Sequence, residues 1–78
     1  MKVKDNRGKF VYVTFTDDVG ENKGGYYCEV YSDVNCDTQI DFFCIHIDYF
    51  GGKPISYEQA EDYARKYVKN GYNHPHFD

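Results

Sequence analysis

Hydrophobic and polar positions divide the chain into three extended segments and one helix. Lys9 to Thr16, KFVYVTFT, is a β-branched and aromatic run with the composition of a strand. The Asp-, Asn- and Gly-rich stretch DDVGENKGG that follows reads as a loop. Tyr26 to Ser32 is a second strand and DVNCDT the next connection. Gln39 to Phe50, QIDFFCIHIDYF, is a third and longer strand, broken by GGKP.

The period then changes. Ala60, Tyr63, Ala64, Tyr67 and Val68 fall at i, i+3, i+4, i+7 and i+8, one apolar stripe of a helix. Ser56 is a good N-cap with Gln59 three residues on, and Ile55 and Ala60 stand at the positions of a hydrophobic staple. Acids in the first turns and Arg65, Lys66 and Lys69 in the last suit the helix dipole. Gly71 is the expected stop. The expected fold is therefore α+β: a three-stranded antiparallel β-meander with one C-terminal α-helix packed on one face. It forms a single domain, with a basic N-terminal arm at 1–8, the sheet at 9–50, the helix at 56–70 and a tail at 71–78.

One helix covers one face of such a sheet. Alternation assigns Val11, Val13 and Phe15, then Tyr26, Cys28 and Val30, then Phe43, Ile45, Ile47 and Tyr49 to the covered face. The other face receives Phe10, Tyr12, Thr14, Tyr27, Glu29, Tyr31, Ile40, Phe42, Cys44, His46, Asp48 and Phe50. That set is too aromatic to be left to water, and exposed apolar patches mark interfaces. The arm or the tail folding across it, a homodimer through the sheet face, and a different partner are the three ways to cover it.

Charge narrows the partner. The 78 residues carry a net charge of −4, unevenly spread. Residues 1–9 hold four cations against one acid, residues 10–64 hold two cations against eleven acids, and residues 65–78 hold three cations against one acid. Phosphate binding needs clustered Lys and Arg, so this balance argues against direct nucleic-acid binding, including on a single-strand stacking platform. It does suit a protein partner that itself carries a basic surface. Three cysteines, the absence of an apolar leader-like run in MKVKDNRGKF and the absence of a membrane-length apolar stretch lead to the expectation of a cytoplasmic protein with reduced thiols.

Candidate chemistry is thin. Asp33, Asn35, Asp37, Gln39 and Asp41 alternate like half of a calcium loop, but Thr38 stands where the turn glycine belongs and Cys44 where the bidentate Glu belongs. A hairpin connection explains them better. Cys44 and His46, with His74 and His76 in the tail, would make a zinc cluster only if the tail crossed that face, and Cys28, Cys36 and Cys44, eight residues apart, form no C-x-x-C knuckle. Cys28 and Cys44 are close enough in a hairpin for a disulfide, which a reducing compartment opposes. No nucleophile has a base with an orienting third group, and no glycine-rich phosphate loop is present. No catalysis, cofactor or metal is expected.

The expected function is binding. Tyr12, Tyr27, Glu29, Tyr31, Phe42 and Asp48 on the sheet face, with Asp33, Asp37 and Asp41 as an acidic rim, form the expected contact surface. Loop acids Asp17, Asp18 and Glu21 add to it. Small acidic domains of this size are typical of inhibitors encoded by phages and mobile elements. Some of these, anti-CRISPR proteins among them, block the basic channel of a host nucleic-acid-handling protein. That expectation is analogy of class and rests on no motif. The alternatives are a homodimeric interaction domain and, more remotely, a zinc-binding or single-stranded nucleic-acid-binding domain.

Overall fold

The computed structural model describes residues 1–75. Its elements are β1 (Lys2–Lys4), β2 (Phe10–Asp17), β3 (Tyr26–Tyr31), β4 (Gln39–Ile45), a short 3-10 helix (Ile47–Phe50) and α1 (Tyr57–Lys69). The four strands form one antiparallel sheet in the order β1-β2-β3-β4, with α1 on one face. The fold class is α+β as expected, but the sheet has four strands and not three.

The extra strand is the segment expected to be a basic arm. Lys2, Val3 and Lys4 pair with Tyr12, Val11 and Phe10, and Val3 is buried between two exposed lysines. Three residues of alternation are too short a signal to separate a strand from a solvated arm. The turn after them is held by Asp5, whose Oδ1 accepts the backbone N–H of Arg7 and of Lys9, each at 2.9 Å. Gly8 closes that turn at φ 81°, where a side chain would be strained.

The third predicted strand runs too far. β4 stops at Ile45, which pairs with Tyr26, the first residue of β3. Beyond that point β3 offers no ladder, and the Asn22 side chain replaces it. Its Nδ2 donates to the Ile45 carbonyl at 3.1 Å and its Oδ1 accepts the Ile47 N–H at 2.8 Å. Asn22 is buried, and a side chain at Gly25 would collide with both Asn22 Nδ2 and the Ile45 carbonyl. With its next backbone N–H taken by a side chain, the chain turns into the 3-10 helix and leaves the sheet. Ile47 and Tyr49 accordingly pack beside the core and do not extend it as strand residues.

The core lies where alternation placed it. Val11, Val13, Cys28, Val30, Phe43 and Ile45 face Ala60, Tyr63, Ala64, Tyr67 and Val68 of α1, and Val3 and Ile55 complete the cluster. The capping box forms as expected: Ser56 Oγ accepts the Gln59 N–H, and Gln59 Oε1 accepts the Ser56 N–H. At the other end Gly71 (φ 69°) terminates the helix, with the Gly71 N–H bonded to Val68 O and the Tyr72 N–H to Tyr67 O, a Schellman arrangement.

Candidate binding surface

Among the described residues no element covers the face away from α1. Register carries Lys2 beside Tyr12 and Tyr12 beside Tyr31, and sets Thr14, Glu29 and Phe42 in one row and Thr16, Tyr27 and Cys44 in the next. Phe42 is 58% exposed and Phe10 46%, while Tyr12, Tyr27 and Tyr31 are half-buried among their neighbours. Tyr27 and Phe42 stack with ring centres 5.9 Å apart. The Nζ of Lys2 stands 4.4 Å and that of Lys4 5.2 Å from the Phe10 ring centre, both within cation–π range. The Tyr31 hydroxyl titrates above its ordinary value, first through desolvation and then through the charge of Glu29.

Neither arm nor described tail covers this face. The arm has become β1. The tail as far as Pro75 lies on the helix side: the His74 ring sits 5.2 Å from that of Tyr67 and 6.3 Å from that of Phe43, and its Nδ1 is 2.6 Å from the Tyr63 hydroxyl. His76 lies outside the described residues.

Five of the sequence-selected residues, Tyr12, Tyr27, Glu29, Tyr31 and Phe42, therefore share one surface. The acids do not all join them. Asp33 belongs to the β3–β4 connection, where its carboxylate accepts the N–H of Asp37 and Thr38 at 2.9–3.1 Å. Those bonds hold its carboxyl below the usual range against the opposing cost of burial. Asp37 is exposed in the same loop. Asp41, expected on the rim, is on the helix-covered face, where it accepts the Tyr67 hydroxyl at 2.6 Å. Alternation back from Ile45 and Phe43 puts it there; just before it a bulge, in which Tyr31 pairs with Gln39 and Val30 with Asp41, leaves Ile40 as the extra residue. Asp41 thus keeps phase with Phe43 and Ile45, and Ile40 leaves the open face to line a cleft beside it. Asp48, expected on the strand, lies in the 3-10 helix and pairs with His46 at 3.3 Å.

The remaining chemistry disperses. The alternating oxygens of Asp33 to Asp41 do not converge, since Asp33 caps a loop and Asp41 binds a tyrosine across the sheet. Cys28 is buried on the helix face and Cys44 is exposed on the open one, so opposite faces rule out the disulfide that hairpin proximity allows. Desolvation raises the Cys28 thiol to about 12, which keeps it protonated and inert. Among the described residues no three His, Cys, Asp or Glu side chains gather closely enough to hold a metal ion, and no helix is long and apolar enough to cross a membrane.

Sequence reasoning missed one concavity. A cleft of about 460 Å³ opens at the end of α1, lined by Asp5, Arg7, Lys9, Ser32, Ile40, Asp41 and Tyr72. The Tyr72 hydroxyl donates to Asp5 Oδ2 at 3.1 Å. Desolvation and that carboxylate together push the tyrosine up to about 12, and the backbone bonds of Asp5 hold its own carboxyl low. The lining carries both signs of charge, and its two carboxylates already accept tyrosine hydroxyls. Only a 67-residue separation brought into contact creates this cleft, so no local signal announces it.

Comparison with protein-family models, with curated protein sequences and with solved structures gives no match.

Proposed function

We propose that this chain is a protein-binding module that acts through its open sheet face and does no catalysis. One observation carries the reading: Phe10, Tyr12, Tyr27, Tyr31 and Phe42 share a face that no described element covers. Aromatic side chains provide large, rigid contact area, and Tyr and Phe are enriched in interface cores. The partner that best fits the net charge of −4 is a larger protein with a basic, nucleic-acid-handling surface. Blocking that surface is the inhibitory role expected of a phage- or mobile-element-type protein of the anti-CRISPR kind, acting in a host cytoplasm. Glu29 on that face, Asp33 and Asp37 in the β3–β4 connection, and Asp18 and Glu21 in the β2–β3 loop are the acids we assign to that contact; Asp17 pairs with Tyr26 in phase with Val13 and Phe15, on the helix side, and does not join them.

The test is capture of a partner from the native host, repeated with two double variants and with nucleic acid as competitor. Tyr27→Ala with Phe42→Ser is expected to abolish capture, Asp33→Asn with Asp37→Asn to weaken it and flatten its salt dependence, and excess nucleic acid to release the captured protein. Capture that survives the aromatic changes overturns the reading.

A second reading has one observation in its favour. Lys2 and Lys4 border the rings of the open face, so stacking platform and cations do meet there. A single-stranded oligonucleotide retarded at low salt, and released by Lys2→Ser with Lys4→Ser, is the result that would prefer it.

A further inference from the structure

The two outer strands of the sheet, neither paired on its far side among the described residues, are built differently. β1 is three residues long, with Lys2 and Lys4 flanking Val3. Shortness and lysine are two ways a sheet keeps an edge from pairing. β4 is seven residues long and contains neither Lys nor Pro. Among the described residues, β4 is paired along β3 alone, and the further acceptor bond on its Ile45 carbonyl comes from Asn22. Beyond the bulge at Ile40, residues Asp41 to Ile45 form an unbroken run whose open-face side chains, Phe42 and Cys44, are exposed and uncharged. The tail does not lie along this edge where it is described, because Pro75 sits beside Lys66 and Lys69 of α1.

We infer that β4 pairs antiparallel with β4 of a second copy, joining two four-stranded sheets edge to edge into one of eight. The sequence of the edge is self-complementary. A two-fold axis at Phe43 uses the whole regular run and sets Phe43 opposite Phe43, Phe42 opposite Cys44 and Asp41 opposite Ile45 of the second copy. No acid faces an acid, although each chain carries −4. The alternatives are worse. β1 paired with itself sets Lys2 opposite Lys4, like charge on like. β1 paired with β4 is head-to-tail and sets lysines on apolar side chains, and such a contact propagates without closing. The two-fold arrangement places both open faces on the same side, so the aromatic surface doubles. Because the two copies repel through their net charge, association tightens as salt rises.

Dimerisation is independent of the partner reading above, and the two fail separately. Sedimentation from micromolar to near-millimolar concentration is expected to take the mass from 9.2 kDa toward twice that value. Phe42→Lys with Cys44→Lys sets lysines opposite lysines and is expected to raise the dissociation constant by about tenfold or more. Phe42→Lys with Cys44→Glu sets opposite charges across the same contacts and restores association. In a Cys36→Ser background, Phe42→Cys is expected to cross-link to Cys44 of the second copy under mild oxidation. Both altered positions are exposed, and circular dichroism checks that each variant is folded. A 9.2 kDa species at every concentration overturns the inference. So does a dimer that ignores both charge variants and yields no cross-link. Tyr12→Ala with Tyr31→Ala, which lie in β2 and β3 and not in the edge strand, should lower partner capture and leave the dimer intact.

Discussion

The two faces of the sheet are made from adjacent residues and do opposite things. Cys28 and Val30 are fully buried under α1, while Tyr27 and Tyr31 beside them in the same strand face outward. Ile45 is 0% exposed and Phe42, three residues earlier, is 58%. Tyrosine shows the difference most clearly. On the helix side Tyr63 and Tyr67 are buried, their hydroxyls partnered by His74 and Asp41 and their titration pushed up by desolvation. On the open side Tyr27 stacks on an exposed Phe42. Apolar strand residues do not by themselves make a core. A face becomes core when a second element removes it from water, and the face without one keeps its rings available to a partner.

If this contrast is right, damage should be unequal. Ile45→Ala on the covered face opens a cavity under α1 and is expected to cost about 2–5 kcal/mol, read as a lower urea midpoint. Tyr67→Phe keeps the ring on Phe43, whose centre is 3.8 Å away, and deletes only the donor to Asp41. Its expected cost is about 1–2 kcal/mol, and in combination with Asp41→Asn the losses should fall short of additive. Phe42→Ser on the open face is expected to change stability by no more than about 0.5 kcal/mol in the same urea titration, while removing partner capture. A large stability loss from Phe42→Ser would erase the contrast.

Acid sharpens it further, though by a smaller effect. The Asp5 carboxyl titrates below its ordinary 3.8 in the fold because the Lys9 and Arg7 N–H groups and the Tyr72 hydroxyl stabilise its anion. A depressed folded value means that this stabilisation is complete above the unfolded value and is lost as pH falls below it. Asp5→Asn is therefore expected to lower the melting temperature at neutral pH and to flatten its decline below 3.8. Tyr72 has the opposite sign. Raised from 10.0 to about 12, it contributes stability that is whole below 10.0 and lost as pH climbs toward 12, so Tyr72→Phe should flatten the alkaline limb.

Much of this molecule was legible in one dimension. The helix, its capping box and its glycine stop are encoded within a few residues of one another, and the structure realises all three. Alternation chose the right face of β2, β3 and β4 for the core, because strand side chains alternate whatever surrounds them. It also puts Asp41 in phase with Phe43 and Ile45, whatever its neighbourhood of loop acids. The open-face residues Tyr12, Tyr27, Glu29, Tyr31 and Phe42 follow from the same rule.

What the sequence by itself determined was local: periodicity, caps, turns and which residues of a strand share a side. Tertiary structure decided the rest. Lys2–Lys4 is a strand because β2 offers it an edge and α1 a place for Val3. β4 ends at Ile45 because a side chain 23 residues away takes over its backbone partner. Asp5 meets Tyr72 across 67 residues. The bulge at Ile40 exists only in relation to β3. Each of these is a contact between distant segments. A pattern of single residues carries no record of who stands opposite whom until the chain has closed on itself.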